Sequence, residues 1–272
     1  MTVHTLIDNH KNKESTEAMP ALFVGHGSPM NGIENNPFTA GWEKLGKSLP
    51  KPKAILVISA HWLTEGTFVH TKDFPKTIHD FYGFPEEMYR LSYPAPGSAE
   101  FAELTQRSVK KETLIADTTW GLDHGAWIVL MRMYPKADIP VYQLSLDATK
   151  SASEHYALAK ELSFLRKRGV LIMGSGNIVH NLRRIDFDPN VKIFDWALEF
   201  DEHAKILIEE HGHEKLIAYQ KLGDAAALAI PTPDHYWPLL YTLAQQSDNE
   251  SVSFPIEGIT NGSISMRSVL IH

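Results

Sequence analysis

Fourteen histidines and no cysteine stand in a chain of 272 residues, and that pairing narrows the available chemistry before any fold is considered. Without thiolates there is no cysteine nucleophile, disulfide, zinc finger or iron–sulfur cluster, so a metal site has to be built from His, Asp, Glu and water. Imidazole serves such a site twice, as a neutral ligand and as a group that moves protons near neutral pH. Three histidines follow apolar runs that end in small residues: Val24-Gly25-His26-Gly27-Ser28, Ile58-Ser59-Ala60-His61 and Met173-Gly174-Ser175-Gly176-Asn177-Ile178-Val179-His180. Any one of them alone reads most simply as a hydrogen-bonded structural histidine. Three in the same position relative to a strand end point to one crevice, because ligands of open α/β sheets collect beyond the carboxyl ends of the strands.

Two further histidines stand at helix entrances. His235 lies in Pro233-Asp234-His235-Tyr236-Trp237-Pro238, where Asp234 reads as an N-cap or as a carboxylate partner, the cap being the simpler. His124 lies in Gly121-Leu122-Asp123-His124-Gly125-Ala126-Trp127, either tied to backbone or catalytic. Of His70 and His79, the second, in Thr77-Ile78-His79-Asp80-Phe81, is the better candidate for lining a site. His155, His203, His211 and His213 fall on or near helices rich in Glu and Lys and read as solvated, and His4, His10 and His272 lie in tails. There is no Gly-x-Ser-x-Gly nucleophile elbow, no P-loop and no dinucleotide fingerprint.

The elements that must hold these residues alternate. Ala21 to Val24 and Ala54 to Ser59 read as buried strands, with a helix between them capped by Asn36, opened by Pro37 and ended near Leu49-Pro50. The simplest arrangement makes this a β-α-β unit with the two strands as parallel neighbours. Helices are expected over Ser98 to Lys111, Gly125 to Tyr134, Ser151 to Arg168, Phe194 to Glu210 and Pro233 to Gln245. Further strands are expected over Val141 to Leu146, Val170 to Gly174, Ser251 to Pro255 and Ser263 to Ile271. The segment Thr71 to Gly97, rich in Pro, Gly and aromatics, reads as a functional loop or lid. Residues 1–19 read as a flexible tail and 20–272 as one domain.

Composition excludes several partners. With 26 Lys and Arg against 33 Asp and Glu, the net charge is −7, and no stretch supplies the basic face that nucleic acid requires. No apolar run nears the roughly 20 residues that span a bilayer, and no secretory or transit pattern opens the chain. The sequence reads as cytoplasmic.

Five ordered segments carry a resemblance: Gly25-His26-Gly27-Ser28-Pro29-Met30-Asn31, Ser59-Ala60-His61-Trp62, Gly121 to Trp127, Ser175-Gly176-Asn177-Ile178-Val179-His180-Asn181 and Pro233 to Leu239. Together they resemble the 4,5-DOPA extradiol dioxygenase-like proteins of the LigB-type class III extradiol ring-cleavage superfamily, from Pro20 to the C-terminus. The resemblance implies an α/β fold, a single domain with a central, mixed, largely parallel sheet flanked by helices on both faces. It also implies one divalent metal per chain in a histidine-rich pocket, Fe(II) for ring cleavage, with zinc expected in isolated protein. Carried over position by position, His26 and His61 match the first two metal ligands and His235 the third. His180 matches a histidine that is ligand or catalytic base, and His124 one just behind the ligands; the catalytic proton transfers fall to His180 and His124. Plant members continue after the His180 position with a Pro-Ser-Asn type motif, where this chain has Asn181-Leu182-Arg183. The implied partners are a small catechol and O2, with self-association into a homo-oligomer left open. Two other readings compete: a zinc hydrolase of a small amide or ester on the same ligands, and a non-catalytic metal- or ligand-binding homologue.

Overall fold

A computed structural model describes residues 18–188 and 190–272. Its central sheet contains β1 (Ala21–Gly25), β2 (Ala54–Ser59), β3 (Val141–Gln143), β4 (Val170–Gly176), β5 (Val252–Ser253) and β6 (Val269–Ile271), in the order β5-β6-β1-β4-β2-β3. The four strands from β1 to β3 in that order run parallel, and β6 pairs antiparallel with both β1 and β5. Every residue of β1, β2 and β4 is buried, as expected of parallel strands covered on both faces.

Six helices of note supply that cover: α1 (Pro37–Ser48), α2 (Ala99–Ser108), α3 (His124–Met133), α4 (Ala152–Glu161), α5 (Asp195–Glu209) and α6 (Trp237–Leu243). Alternate strand residues feed two cores. Phe23, Leu56, Ile58 and Ile172 pack with residues of α4, α5 and α6, while Leu22, Val24, Val57 and Met173 pack with Trp42 and Leu45 of α1 and Trp127 and Leu130 of α3. Burying one such Leu or Ile contributes roughly 1.5–3 kcal/mol, so the two cores make a stiff platform for whatever projects from the strand ends.

The structure corrects several sequence expectations. β1 and β2 are parallel but not neighbours, because β4 lies between them, registered Ala21↔Ile172 on one side and Ala54↔Val170 on the other. Seven consecutive buried residues suit β4 to the centre of a doubly covered sheet, leaving the shorter strands at the edges. The helix expected over Ser151 to Arg168 stops at Glu161 and continues as a 3-10 turn to Gly169, whose φ of 87° ends it. The helix expected from Pro233 begins at Trp237, with Pro238 in its first turn, where a missing N–H costs nothing. His155 is no solvated residue: its ring is buried, its Nδ1 meets the Tyr241 hydroxyl at 3.0 Å, and it packs on Trp237 with centroids 4.4 Å apart. The face of α4 expected to meet water packs on α6 instead. His213 is half-buried against the Tyr156 hydroxyl at 2.8 Å, whereas His203 and His211 are exposed.

Of the expected tail, residues 1–17 lie outside the described residues, and Met19 already belongs to the folded chain, its N–H donating to Arg166 O at 3.0 Å. Among the described residues no helix is long and apolar enough to cross a membrane. The segment 71–97 is a strap held at several points. Lys76–Thr77 pairs with Gly121–Leu122, the Ile78 N–H donates to Leu122 O at 2.8 Å, and Trp127 Nε1 donates to Ile78 O at 2.9 Å. This ties the strap to the start of α3, where His124 stands.

Candidate active site and metal centre

Three strand ends and two helix entrances converge above the carboxyl edge of the sheet. β1 ends at Gly25, and His26 follows with its N–H donating to Gly176 O at 3.0 Å and its own carbonyl accepting from Asn31 Nδ2 at 3.0 Å. Gly27 then turns the chain away at φ 60°, a backbone that favours glycine. His61 follows the end of β2. The carbonyl of His235 accepts from the Asn177 N–H at 2.9 Å, just past β4. A Cβ on Gly176 would lie 2.1 Å from that carbonyl oxygen, so only glycine lets the His235 segment approach the strand so closely.

His26, His61 and His235 offer one ring nitrogen each, all within 4.8 Å of one another. The Nε2 atoms of His26 and His61 are 3.1 Å apart. Two imidazoles bound at about 2.1 Å to one ion, at angles between octahedral and tetrahedral, place their nitrogens roughly 3.0–3.4 Å apart. The separation fits a shared divalent metal.

The outer ring nitrogens of His26 and His235 are hydrogen-bonded, and that of His61 faces a carboxylate. Ser175 Oγ spends its proton on Gly125 O at 2.6 Å, so it accepts from His26 Nδ1–H at 3.1 Å. His61 Nδ1 faces Asp80 Oδ2 at 3.4 Å. Asp234 Oδ2 accepts a very short hydrogen bond from His235 Nδ1–H. Asp234 is therefore a partner of the ring rather than the helix cap, and α6 has no side-chain cap. The reason is proximity: a carboxylate adjacent to an imidazole at a helix entrance reaches the ring more readily than N–H groups a turn away. With Nδ1 of His26 and His235 hydrogen-bonded, their Nε2 lone pairs are left for a metal, as in sites whose imidazoles are oriented by an outer hydrogen bond. Burial above all, and then the neighbouring histidines, holds His26 and His61 well below the usual imidazole range, in the neutral form that ligation needs.

The remaining two expected site histidines lie beside this trio. His180 is stacked on His235, centroids 3.5 Å apart and planes 5° from parallel, and neither of its ring nitrogens has a protein partner among the described residues. Burial first, then His235, pushes its pKa down to about 2. The ring of His124 lies 3.9 Å from that of His61 and 5.5 Å from that of His26. Its Nδ1–H donates to Asp80 Oδ2 at 2.9 Å and its backbone N–H to Asp80 Oδ1 at 2.8 Å. Burial opposes ionisation of Asp80, but the His124 hydrogen bonds prevail and hold it below the usual carboxylate range.

His79, expected to line the site, stands beside it as a wall element. Its Nε2 meets Leu91 O at 3.0 Å, and its ring packs against Phe81, Tyr89 and Trp127. Phe81, at 5.7 Å edge-on to His124, is the aromatic residue of the strap that reaches the cluster. Sequence reasoning missed Asp80, although it adjoins His79, and missed the buried floor under His124. There Asp123 accepts from Ser59 Oγ at 2.6 Å and Gln143 Nε2 at 2.8 Å while capping α3. Burial, and then Asp80, raises the Asp123 pKa. A lone Asp after a candidate histidine carries no spacing signal, which is why Asp80 needed the fold to be seen.

Comparison with known proteins identifies the family. The family described as the catalytic LigB subunit of aromatic ring-opening dioxygenase matches residues 20–263. A 4,5-DOPA dioxygenase extradiol of Escherichia coli (strain K12) is 45% identical over 261 residues, covering 94% of this chain and 96% of that one. A 4,5-DOPA dioxygenase extradiol of Beta vulgaris is 38% identical, with 84% of this chain and 87% of that one covered. The crystal structure of an uncharacterized protein from Escherichia coli K12 superposes with a TM-score of 0.81 at 41% identity, covering 93% of this chain and all of that one. Its mixed sheet between two helical layers is the fold found here. With residues 20–263 matched and relatives this similar along nearly the whole length, the chain belongs to the LigB family of extradiol, aromatic ring-opening dioxygenases.

Proposed function

We propose that the chain opens the ring of a small catechol, of which DOPA is the example suggested by the names of its relatives, inserting both atoms of O2 with Fe(II) held by His26, His61 and His235. The observation that carries this reading is the all-imidazole trio His26, His61 and His235, each offering a ring nitrogen to one point. Three neutral imidazoles would hold the ion without offsetting its positive charge. Iron held there supplies the redox chemistry that O2 requires and favours the ionised diol.

The protein's own groups do the rest. His180, whose ring nitrogens have no protein partner among the described residues, takes a catechol hydroxyl proton at a ring nitrogen. Its stack on His235 keeps that ring beside the ligand set. His124, anchored through Nδ1, handles the second proton at Nε2. Phe81, with Phe84 and Tyr89 packed on it at 5.2 and 5.3 Å, walls the site and keeps bulk water from the reacting ring.

The test is oxygen uptake by protein stripped of metal and reloaded anaerobically with Fe(II), challenged with a panel of catechols. Uptake with a yellow semialdehyde product supports the reading. Catechol binding without uptake, together with ester or amide hydrolysis by the zinc-loaded form, would replace it with the hydrolase.

A further inference from the structure

Asp80 makes three contacts with two histidines of the site, and no role in ring opening has yet been given to it. Its Oδ1 accepts the backbone N–H of His124 at 2.8 Å, and its Oδ2 accepts His124 Nδ1–H at 2.9 Å while facing His61 Nδ1 at 3.4 Å. The carboxylate comes from the strap, whereas both histidines follow elements of the main fold. It sits at the first turn of α3, whose cap is already provided by Asp123. Capping therefore does not require Asp80. What it adds is a constraint on the His124 ring. A carboxylate only accepts, so His124 must carry a proton on Nδ1. Nε2, which has no protein partner among the described residues, is then the unprotonated nitrogen.

We propose that Asp80 is a positioning residue for ring opening: it sets the tautomer and orientation of His124 so that Nε2 handles the proton, and it restrains His61 through the same oxygen. The proposal rests on the dioxygenase reading above. Phe81, the wall of the site, is the next residue, so the strap brings the positioning acid and the aromatic wall to the cluster side by side.

Asp80→Asn separates this role from simple support. The replacing amide still accepts the His124 backbone N–H through its oxygen, but its NH2 then points at Nδ1. His124 has to accept there and carry its proton on Nε2, so the tautomer reverses. Nitrogen-15 NMR of histidine-labelled, zinc-loaded protein reads this directly. The expected result is an Nδ1–H signal for His124 in the wild type and an Nε2–H signal in the variant. With full iron occupancy verified, kcat should fall on the order of 10²-fold, in the range of general acid–base contributions, while KM stays within about threefold.

An Nε2–H tautomer in the wild type overturns the proposal, and so does a kcat within about threefold of wild type at full iron occupancy. If Asp80→Asn does not fold, the wild-type tautomer still decides. If the wild type opens no catechol at all, the dioxygenase reading fails and the NMR result alone judges Asp80.

Discussion

Replacing Asp234 tests whether the hydrogen bond behind a ligand tunes the metal site. Asp234 accepts from His235 Nδ1–H, and although burial opposes its ionisation, the His235 contact holds it well below the usual carboxylate range, so it is charged at working pH. A charged acceptor fixes the ring and strengthens Nε2 as a donor to metal, and loss of such partners typically costs 10–100-fold in metal affinity. Asp234→Asn keeps a neutral acceptor for Nδ1–H, which places it near the lower end, about tenfold or about 1.4 kcal/mol. Asp234→Ala leaves the Nδ1–H of a buried ring without its partner, which places it near the upper end, about 100-fold. Chelator competition with zinc, run on metal-free proteins whose unfolding midpoints have been matched, gives the two dissociation constants. If both variants bind within about twofold of wild type, the outward hydrogen bond does not tune the site and the argument from Nδ1 engagement fails.

Other consequences follow from the same geometry. His180→Gln should retain the metal and lose turnover by roughly 10²–10⁴-fold; loss of the metal, measured by elemental analysis, would make His180 a ligand instead. Gly176→Ala puts a Cβ 2.1 Å from the His235 carbonyl oxygen, and overpacking of this kind costs about 1–3 kcal/mol. It should therefore lower the melting temperature and weaken metal binding together, and an unchanged Tm would contradict the close approach. Burial pulls the His155 pKa from the usual value of 6.5 to about 4. A folded-state value below the unfolded one means that its contribution is fully present above about pH 6.5 and is lost as pH falls towards 4, up to roughly 3 kcal/mol. Urea titrations of metal-free wild type and His155→Gln should show a shallower decline across that window in the variant, and parallel curves would refute the assignment.

Much of this site was legible because its histidines follow strands. His26 and His61 sit where apolar runs stop, and runs such as Ala54–Ser59 are bounded so clearly that the strand limits agree with the sequence reading. The placement of β4 between β1 and β2 was not legible, since hydrophobic runs specify burial but not lateral order. Asp234 and Asp80 show a second limit. Each is an ordinary acid next to a histidine, and whether it caps a helix, orients a ring or meets water depends on distances that only folding sets. His155 shows a third: helical spacing with Glu and Lys nearby suggested solvent, but the packing of α4 on α6 decided otherwise. Five motifs in order pointed to histidines that the fold brings together, where single residues did not.

Under the proposed reading, three imidazoles hold an iron at which a catechol ring is opened with dioxygen. The most direct test of that reading is one turnover series with oxygen-18 gas on anaerobically iron-loaded protein, followed by mass analysis of the product, with zinc-loaded protein run alongside. The expected result is one O2 consumed per catechol, label from O2 in the new carboxyl group of a ring-opened product, and no uptake by the zinc form. A ring-opened product with no label in its carboxyl group, or an iron-loaded protein that binds catechol and consumes no O2, would refute the dioxygenase reading.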